Sequence, residues 1–208
     1  MNKEKLIQIF ESISSVMDKE RDYLIELDQQ NGDGDLGISM SNGFRAVLSY
    51  VQNTDEIDLG KIFMKSSAAF NEAAPSSLGT ILSFGMIGVA RALKGREDAD
   101  FSEMTMAMEQ GIALIMEKAG SKPGEKTVLD ALVPAVDALK SNAASGPQIA
   151  FLRAAEAAAA GSESTKNMLS VHGRAAYYGE KSLGLLDGGS VAGRLIVEAI
   201  STYLGGGS

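Results

Sequence analysis

The 208-residue chain has no cysteine and no tryptophan, and His172 is its one histidine. Without cysteine the protein can form neither a disulfide framework nor a thiolate nucleophile, and thiolate-bound zinc or iron–sulfur sites are excluded. A single histidine also argues against a multi-histidine metal centre and against a Ser–His–Asp triad. Any chemistry must therefore come from carboxylates, hydroxyls, cationic side chains and backbone amides.

Positive charge is scarce too: the chain has 19 lysine and arginine residues against 27 aspartate and glutamate residues, which gives a net charge of -8. Such a field repels nucleic acid and anionic membrane surfaces, so we expect no nucleic-acid partner. The longest apolar stretch, residues 81–93, is interrupted by Ser83, Gly85 and Gly88. A membrane span needs about 20 apolar residues, so no membrane segment is predicted. The polar, acidic start of the chain does not resemble a signal peptide, which favours a cytoplasmic protein.

What the sequence does contain is helical periodicity, since apolar residues recur at three- and four-residue steps along most of its length. No segment alternates with a period of two, so no strand is predicted. We expect eight helices, over residues 6–27, 38–51, 58–72, 78–94, 101–119, 127–142, 148–169 and 189–204. Asp100 and Glu103 predict a capping box at the start of the fifth helix. Short connections favour antiparallel neighbours, so residues 1–208 are predicted to form a single all-α domain, with residues 205–208 as a flexible tail.

The most informative segment runs from Asp28 to Gly37 and holds three aspartates, Asp28, Asp33 and Asp35, together with three glycines. Glycine allows the backbone to turn sharply, so closely spaced carboxylates can converge on one point. Converging carboxylates repel one another unless a hard cation lies between them, and oxygen ligands suit Mg²⁺ or Ca²⁺. The alternative is an ordinary solvated Asp-Gly turn.

Two motif matches in this segment are rejected on physical grounds. The string Gly32-x-Gly34-x-x-Gly37 fits the dinucleotide fingerprint, but a helix precedes it and aspartates fill its gaps, which would repel a pyrophosphate. The start at Asn31 also resembles an EF-hand loop. That loop requires glycine at its sixth position and glutamate at its twelfth, where this chain has Leu36 and Asn42.

The aspartate loop could still bind phosphate through a metal ion, because Mg²⁺ held by aspartates can bridge to nucleotide phosphates. The segments that could supply donors are Ser76-Ser77 with Thr80 at a helix start, Gly124–Thr127, Gly173-Arg174 and Asp187-Gly188-Gly189. Each of them alone is equally typical of a helix cap, a surface cation or a turn.

Three segments together resemble a known family, the DhaL domains that bind nucleotide in dihydroxyacetone kinases. The segments are residues 28–40, residues 124–135 (GEKTVLDALVPA) and residues 173–187, which begin GRAAYYGEKS. The resemblance implies an eight-helix antiparallel barrel with the nucleotide at one end. It implies that Asp28, Asp33 and Asp35 hold two Mg²⁺ ions against the phosphates of ADP or ATP. The implied nucleotide-binding residues are Ser39, Ser76, Ser77, Gly124, Thr127, Arg174, Asp187 and Gly189.

The family resemblance further implies that this chain transfers a phosphoryl group to a small ketose, dihydroxyacetone, held on a partner DhaK-like subunit. Bound ADP would be recharged by a DhaM-like phosphocarrier of the sugar phosphotransferase system, and His172 would have no catalytic role. Alternatives are a triose or tetrose kinase subunit that exchanges ATP at each turnover, a regulatory DhaL-like binding module, and a helical scaffold with a structural cation. The chain departs from the family pattern at Leu36, where histidine is common, at Ser39, where asparagine is usual, and at residues 73–77.

Overall fold

The computed structural model describes residues 1–206, which form nine α-helices and three 3-10 helices and no strand. The α-helices are α1 (Lys3–Lys19), α2 (Arg21–Asp28), α3 (Leu36–Asn53), α4 (Leu59–Ala73), α5 (Ser77–Ala92), α6 (Phe101–Ala119), α7 (Leu129–Ser141), α8 (Pro147–Ser164) and α9 (Gly188–Leu204). The 3-10 helices are Ala143–Ser145, Thr165–Asn167 and Arg174–Ser182. The all-α prediction is confirmed, and part of the predicted tail, residues 207–208, lies outside the described residues.

Side-chain caps set the starts of several helices. Asp100 accepts from the amide of Glu103, whose carboxylate accepts from the amide of Asp100, so the predicted capping box is confirmed. Pro147 occupies the first turn of α8, where its missing N–H costs no hydrogen bond. Ser76 and Asp187 cap α5 and α9, two helices whose first turns matter below.

The structure corrects two predicted helices. The first predicted helix divides at Glu20 into α1 and α2, so the described chain has nine α-helices rather than eight. At this break α2 turns toward α3, and Gly37 packs directly against the carbonyl of Arg21. The predicted helix over 148–169 ends at Ser164, because the hydroxyls of Ser164 and Thr165 bond back to carbonyls of the last turn.

The helices pack in a closed order. From α3 onward each helix contacts the next along the chain, α9 contacts α1, and α1 contacts α3, while α2 lies against α3 and α9. Buried side chains from these helices form a continuous apolar cluster. This order agrees with the up-and-down arrangement implied by the family, whose barrel geometry stays a prediction. No helix within residues 1–206 is long and apolar enough to cross a lipid bilayer.

An apolar cavity of about 400 Å³ lies between the helices, lined by side chains such as Phe10, Phe63, Leu82 and Phe151. None of the three loop aspartates lines it. The polar site described below is therefore separate from the large cavity and lies among the loops that join the helices.

Small residues allow a close helix approach between α5 and α6. A Cβ added at Gly88 would lie 2.5 Å from the carbonyl oxygen of Gln110 and 2.6 Å from the Cα of Gly111. One helical turn earlier, a Cβ at Gly85 would meet only the end of the Ile115 side chain, at 3.0 Å. An added methyl group at Gly88 would therefore have to displace the backbone of α6, whereas one at Gly85 would only have to displace the end of a flexible side chain.

We therefore expect Gly88→Ala to lower the free energy of unfolding by about 1–3 kcal/mol, because it forces two backbones apart. Gly85→Ala is the matched control. It gains up to about 1 kcal/mol of helix propensity and should be neutral or stabilising. Urea denaturation of the two variants measures the difference, and equal stabilities would contradict the close packing described here.

Candidate functional site

The aspartate loop folds around the carboxylate of Asp28, the last residue of α2. Its Oδ2 accepts hydrogen bonds from the amides of Gly34 (2.8 Å) and Asp35 (3.1 Å). Gly34 has a φ of +77°, a conformation that suits glycine and that turns the chain back toward Asp28. The loop then enters α3 at Leu36, so the backbone holds all three aspartates close to two helix ends.

This arrangement concentrates negative charge. One carboxylate oxygen from each of Asp28, Asp33 and Asp35 lies within 4.8 Å of the other two. Burial raises the pKa of Asp35, and the neighbouring carboxylates of Asp33 and Asp28 raise it further. Three hard oxygen donors at this spacing fit a divalent cation such as Mg²⁺, whose charge would offset their repulsion.

Arg174 provides a positive charge beside the cluster. Its Nη1 lies 2.6 Å from Oδ2 of Asp33 and brings the segment before α9 against the aspartate loop. Both side chains are substantially exposed, so the pair by itself adds little to stability. An exposed guanidinium facing carboxylates can instead serve a phosphate, because its planar donors match phosphate oxygens.

The turn before α7 is closed by Asp130, a residue that sequence reasoning missed. Asp130 is only 4% exposed and accepts from the amides of Gly124 (2.6 Å) and Thr127 (2.7 Å) through its two oxygens. These two amides are therefore already bonded and are not free for a phosphate. The Thr127 hydroxyl accepts from the amide of Leu129 (3.2 Å) and keeps its own proton to donate. The signal that could have revealed Asp130 is an acid among the apolar residues that begin a helix.

Asp187 caps α9 and lies in the same charged region. Its Oδ2 accepts from the amide of Ser190 at 2.6 Å. Burial raises the pKa of Asp187 to about 7, with smaller contributions in the same direction from Asp130 and Asp28, while the Ser190 bond and the charge of Lys126 oppose the rise. The negative charges of Asp28 and Asp130 are therefore close enough to Asp187 to disfavour its ionised form.

The starts of α5, α7 and α9 meet at Gly189. A Cβ there would lie 3.5 Å from the amide nitrogen of Val128 and 3.7 Å from Cδ1 of Leu78. Ser76 accepts from the amide of Gly79 at 3.1 Å and caps α5. The first amides of a helix lack intrahelical partners and favour anions. Three such helix starts converge here.

The remaining residues singled out from the sequence have simpler positions. Ser77 is the exposed first residue of α5, beside Ser76. Ser39 is buried in the first turn of α3, where its amide donates to the carbonyl of Asp35 (2.9 Å), so it supports the loop from the helix side. Leu36, at the position where the family commonly has histidine, is buried and its Cδ2 would lie 2.6 Å from a Cβ on Gly188.

Sequence reasoning also missed Glu125 and Lys126, two residues of the turn before α7 that contact the segment between α8 and α9. Glu125 Oε2 lies 2.6 Å from Nε2 of His172 and accepts its hydrogen bond, which holds the pKa of this carboxyl below its usual range. His172 thus lies in the loop before a 3-10 helix, paired with an acid. Lys126 is buried beneath the same loop. A lysine in a Gly-Glu-Lys-Thr turn gives no sequence signal of burial.

Comparison with known proteins decides the family. The family model described as the DAK2 domain matches residues 30–202. The chain belongs to the DAK2 domain family. The resemblance inferred from the three sequence segments is thereby confirmed. The matched range includes the aspartate loop from Gln30 onward, the turn closed by Asp130 and the segment that carries Arg174.

DAK2 relatives of similar length are named as subunits of dihydroxyacetone kinases. The chain is 28% identical to the "PEP-dependent dihydroxyacetone kinase 2, ADP-binding subunit DhaL" of Listeria innocua, over 92% of this chain and 90% of that one. It is 24% identical to the corresponding ADP-binding subunit DhaL of Escherichia coli, over 97% of both chains.

Longer DAK2 proteins contain a comparable domain as one part. The chain covers 34% of the dihydroxyacetone kinase of C. freundii, solved in complex with AMP-PNP and Mg²⁺, with a TM-score of 0.75 and 23% identity over 96% of this chain. It also matches 35% of the L-erythrulose 1-kinase of Mycolicibacterium smegmatis at 28% identity. The structural likeness confirms the fold of the DAK2 domain.

The raised pKa of Asp187 leads us to expect that the stability of the folded protein depends on pH. Because the folded state holds this proton up to about pH 7 and the unfolded chain releases it near pH 4, the stability of the metal-free protein should fall as pH rises through this window. Asparagine can still cap α9, so Asp187→Asn should remove this fall and be the more stable protein at pH 8, by on the order of a few kcal/mol. Urea denaturation in EDTA from pH 5 to 8 tests this. Parallel curves for the two proteins would show that Asp187 is not responsible.

Proposed function

We propose that this chain is the nucleotide-binding subunit of a dihydroxyacetone-type kinase. It binds ADP or ATP with Mg²⁺ at the aspartate loop and passes a phosphoryl group to a small ketose held on a separate DhaK-like subunit. The observation that carries the proposal is the convergence of three carboxylates within 4.8 Å, beside Arg174 and three helix starts. The names of the DAK2 relatives support the same reaction.

Asp28, Asp33 and Asp35 are the proposed ligands of two Mg²⁺ ions. Bound Mg²⁺ would supply charge neutralisation for the phosphates during transfer. The chain contributes the positioning, because two loop amides fix the Asp28 carboxylate and leave Asp33 and Asp35 exposed beside it. Carboxylates that repel one another without a cation have a strong preference for the metal-bound state.

Arg174 and the helix starts are the proposed phosphate donors. Once cations balance Asp33, the Arg174 guanidinium is free to bond a phosphate oxygen instead. The start of α5 at Ser76 and Ser77, together with the hydroxyl of Thr127, completes the donor set. Asp187 and Gly189 lie at the start of α9 and Gly124 lies in the turn before α7, and we assign these residues to holding the rest of the nucleotide.

The route by which the nucleotide is recharged has two versions. Two DAK2 relatives of the same length are named PEP-dependent and ADP-binding, which favours ADP kept in place and rephosphorylated by a DhaM-like phosphocarrier. The match to a domain of an L-erythrulose 1-kinase favours the second version, in which ATP exchanges and the ketose has four carbons. Leu36 in place of histidine removes a polar group from the loop and is consistent with faster exchange. A cytoplasmic location is part of both versions.

The aspartate assignment can be tested by thermal unfolding. Mg-ADP at about 100 times its Kd should stabilise the wild-type protein by about 2.7 kcal/mol, which raises Tm by roughly 2–4 °C per kcal/mol. Asp33→Asn should abolish this shift, because the metal loses a charged ligand. Without ligand its Tm should stay close to wild type, since the exposed pair with Arg174 contributes roughly 0–1 kcal/mol.

Asp55→Asn is the matched control, because Asp55 is an exposed acid in the connection between α3 and α4. It removes the same charge and should leave the full Mg-ADP shift. A full shift in Asp33→Asn, or a shift with ADP that does not require Mg²⁺, would refute the metal assignment.

A further inference from the structure

Lys126 is a buried cation that the phosphate chemistry does not use. The residue is 3% exposed and has a φ of +60°, and within residues 1–206 it is the one non-glycine residue with a positive φ. Its Nζ donates to three backbone carbonyls, those of Met168 (3.2 Å), Ser182 (2.5 Å) and Leu185 (2.7 Å). An ammonium has three protons, so all of its donors are occupied. Lys126 is therefore not available as a phosphate ligand.

The three carbonyls lie at the two ends of one segment. We call residues 168–187 the cover segment; they run from the end of the 3-10 helix Thr165–Asn167 to the cap of α9 and carry Arg174 to the aspartate loop. Met168 is at its start, whereas Ser182 and Leu185 are near its end. One buried ammonium thus joins both ends of the cover segment to the turn that precedes α7.

The other ties of the cover segment to the rest of the chain are weaker in kind. The pairs Arg174–Asp33 and His172–Glu125 have exposed or partly exposed partners, and solvent screens such pairs. The amide of Asp187 donates to the hydroxyl of Thr165 at 3.1 Å, and the amide of Gly184 donates to the carbonyl of Lys166 at 2.8 Å; both are neutral bonds. Charge-assisted bonds to a desolvated ammonium are roughly twice as strong as neutral ones. Lys126 is therefore the main anchor at the base of the segment.

We propose that Lys126 is a positioning residue for the nucleotide site, and this inference rests on the proposed function. By holding both ends of the cover segment, it keeps Arg174 beside the aspartate loop before nucleotide arrives. A protein whose segment is closed only part of the time binds more weakly in proportion to the closed fraction. If loss of the anchor reduces that fraction to about a tenth, the apparent Kd for Mg-ADP rises about tenfold.

The test compares Lys126→Met with Lys126→Gly in the full chain. Methionine keeps the length of the side chain and loses its donors, whereas glycine also accepts the positive φ and so removes any backbone strain. Lys122→Met is the matched control, because Lys122 is an exposed lysine in the same turn. Calorimetry gives the Kd for Mg-ADP, and hydrogen–deuterium exchange of the ligand-free proteins gives the opening of each segment.

We expect both Lys126 variants to bind Mg-ADP about tenfold more weakly and the Lys122 control to bind as wild type. Amide exchange should rise in the cover segment while α3, α5 and α7 stay protected. Because Lys126 acts through Arg174, Lys126→Met should weaken binding less in an Arg174→Gln background than in the wild type. This coupling is the readout that a merely structural lysine would not produce.

Wild-type affinity in both variants, exchange that rises equally in all helices, or full additivity with Arg174→Gln would each overturn the inference. If the wild-type protein itself fails to bind Mg-ADP, the proposed function fails and the role in nucleotide binding fails with it. The exchange data on ligand-free protein would then still decide whether Lys126 anchors the cover segment. The two failures are therefore distinguishable.

Discussion

Mutual repulsion among the carboxylates of Asp28, Asp33 and Asp35 is the constraint on which the site depends. One oxygen of each lies within 4.8 Å of the others, a spacing that costs free energy unless positive charge is supplied. The chain offsets part of that cost with two loop amides on Asp28 and with Arg174 beside Asp33. A divalent cation would offset the rest. This imbalance of charge is what supports our proposal that the loop is one half of a binding site and a metal complex the other half.

The helical frame determines which groups reach this loop. The break at Glu20 directs α2 onto α3, and the ordered packing from α3 to α9 returns the chain to its beginning. The starts of α5, α7 and α9 contact one another at Gly189, and Gly188 packs against Leu36, the residue that follows the aspartate loop. Asp130 accepts hydrogen bonds from the amides of Gly124 and Thr127 in its own turn. The groups that remain to bind an anion are therefore hydroxyls, helix starts and Arg174. Helix ends therefore supply most of the candidate site, and the cover segment supplies the positive charge of Arg174.

Periodicity predicted the helix class and the positions of α3 to α7 within a few residues, because each has an apolar face and some have a recognisable cap, such as Asp100 at the start of α6. It missed the division at Glu20, since the apolar stripe continues across the break and only the close approach of Gly37 to Arg21 requires it. Spacing alone indicated that the three aspartates would converge. The burial of Lys126 could not be predicted, because its carbonyl partners lie 42 to 59 residues further along the chain, on a segment whose irregular path follows from long-range contacts rather than from local pattern. Asp130 bonds to amides of its own turn, and its local signal is an acid among the apolar residues that begin α7.

The most direct test of a metal-dependent nucleotide site is a native mass spectrum of the protein saturated with ADP and Mg²⁺, recorded before and after EDTA. The account predicts one species heavier than the protein by one ADP and two Mg²⁺ ions, and its loss once the metal is removed. ADP that stays bound in EDTA would contradict the role of the aspartate loop. A bare protein mass at saturating Mg-ADP would contradict nucleotide binding altogether.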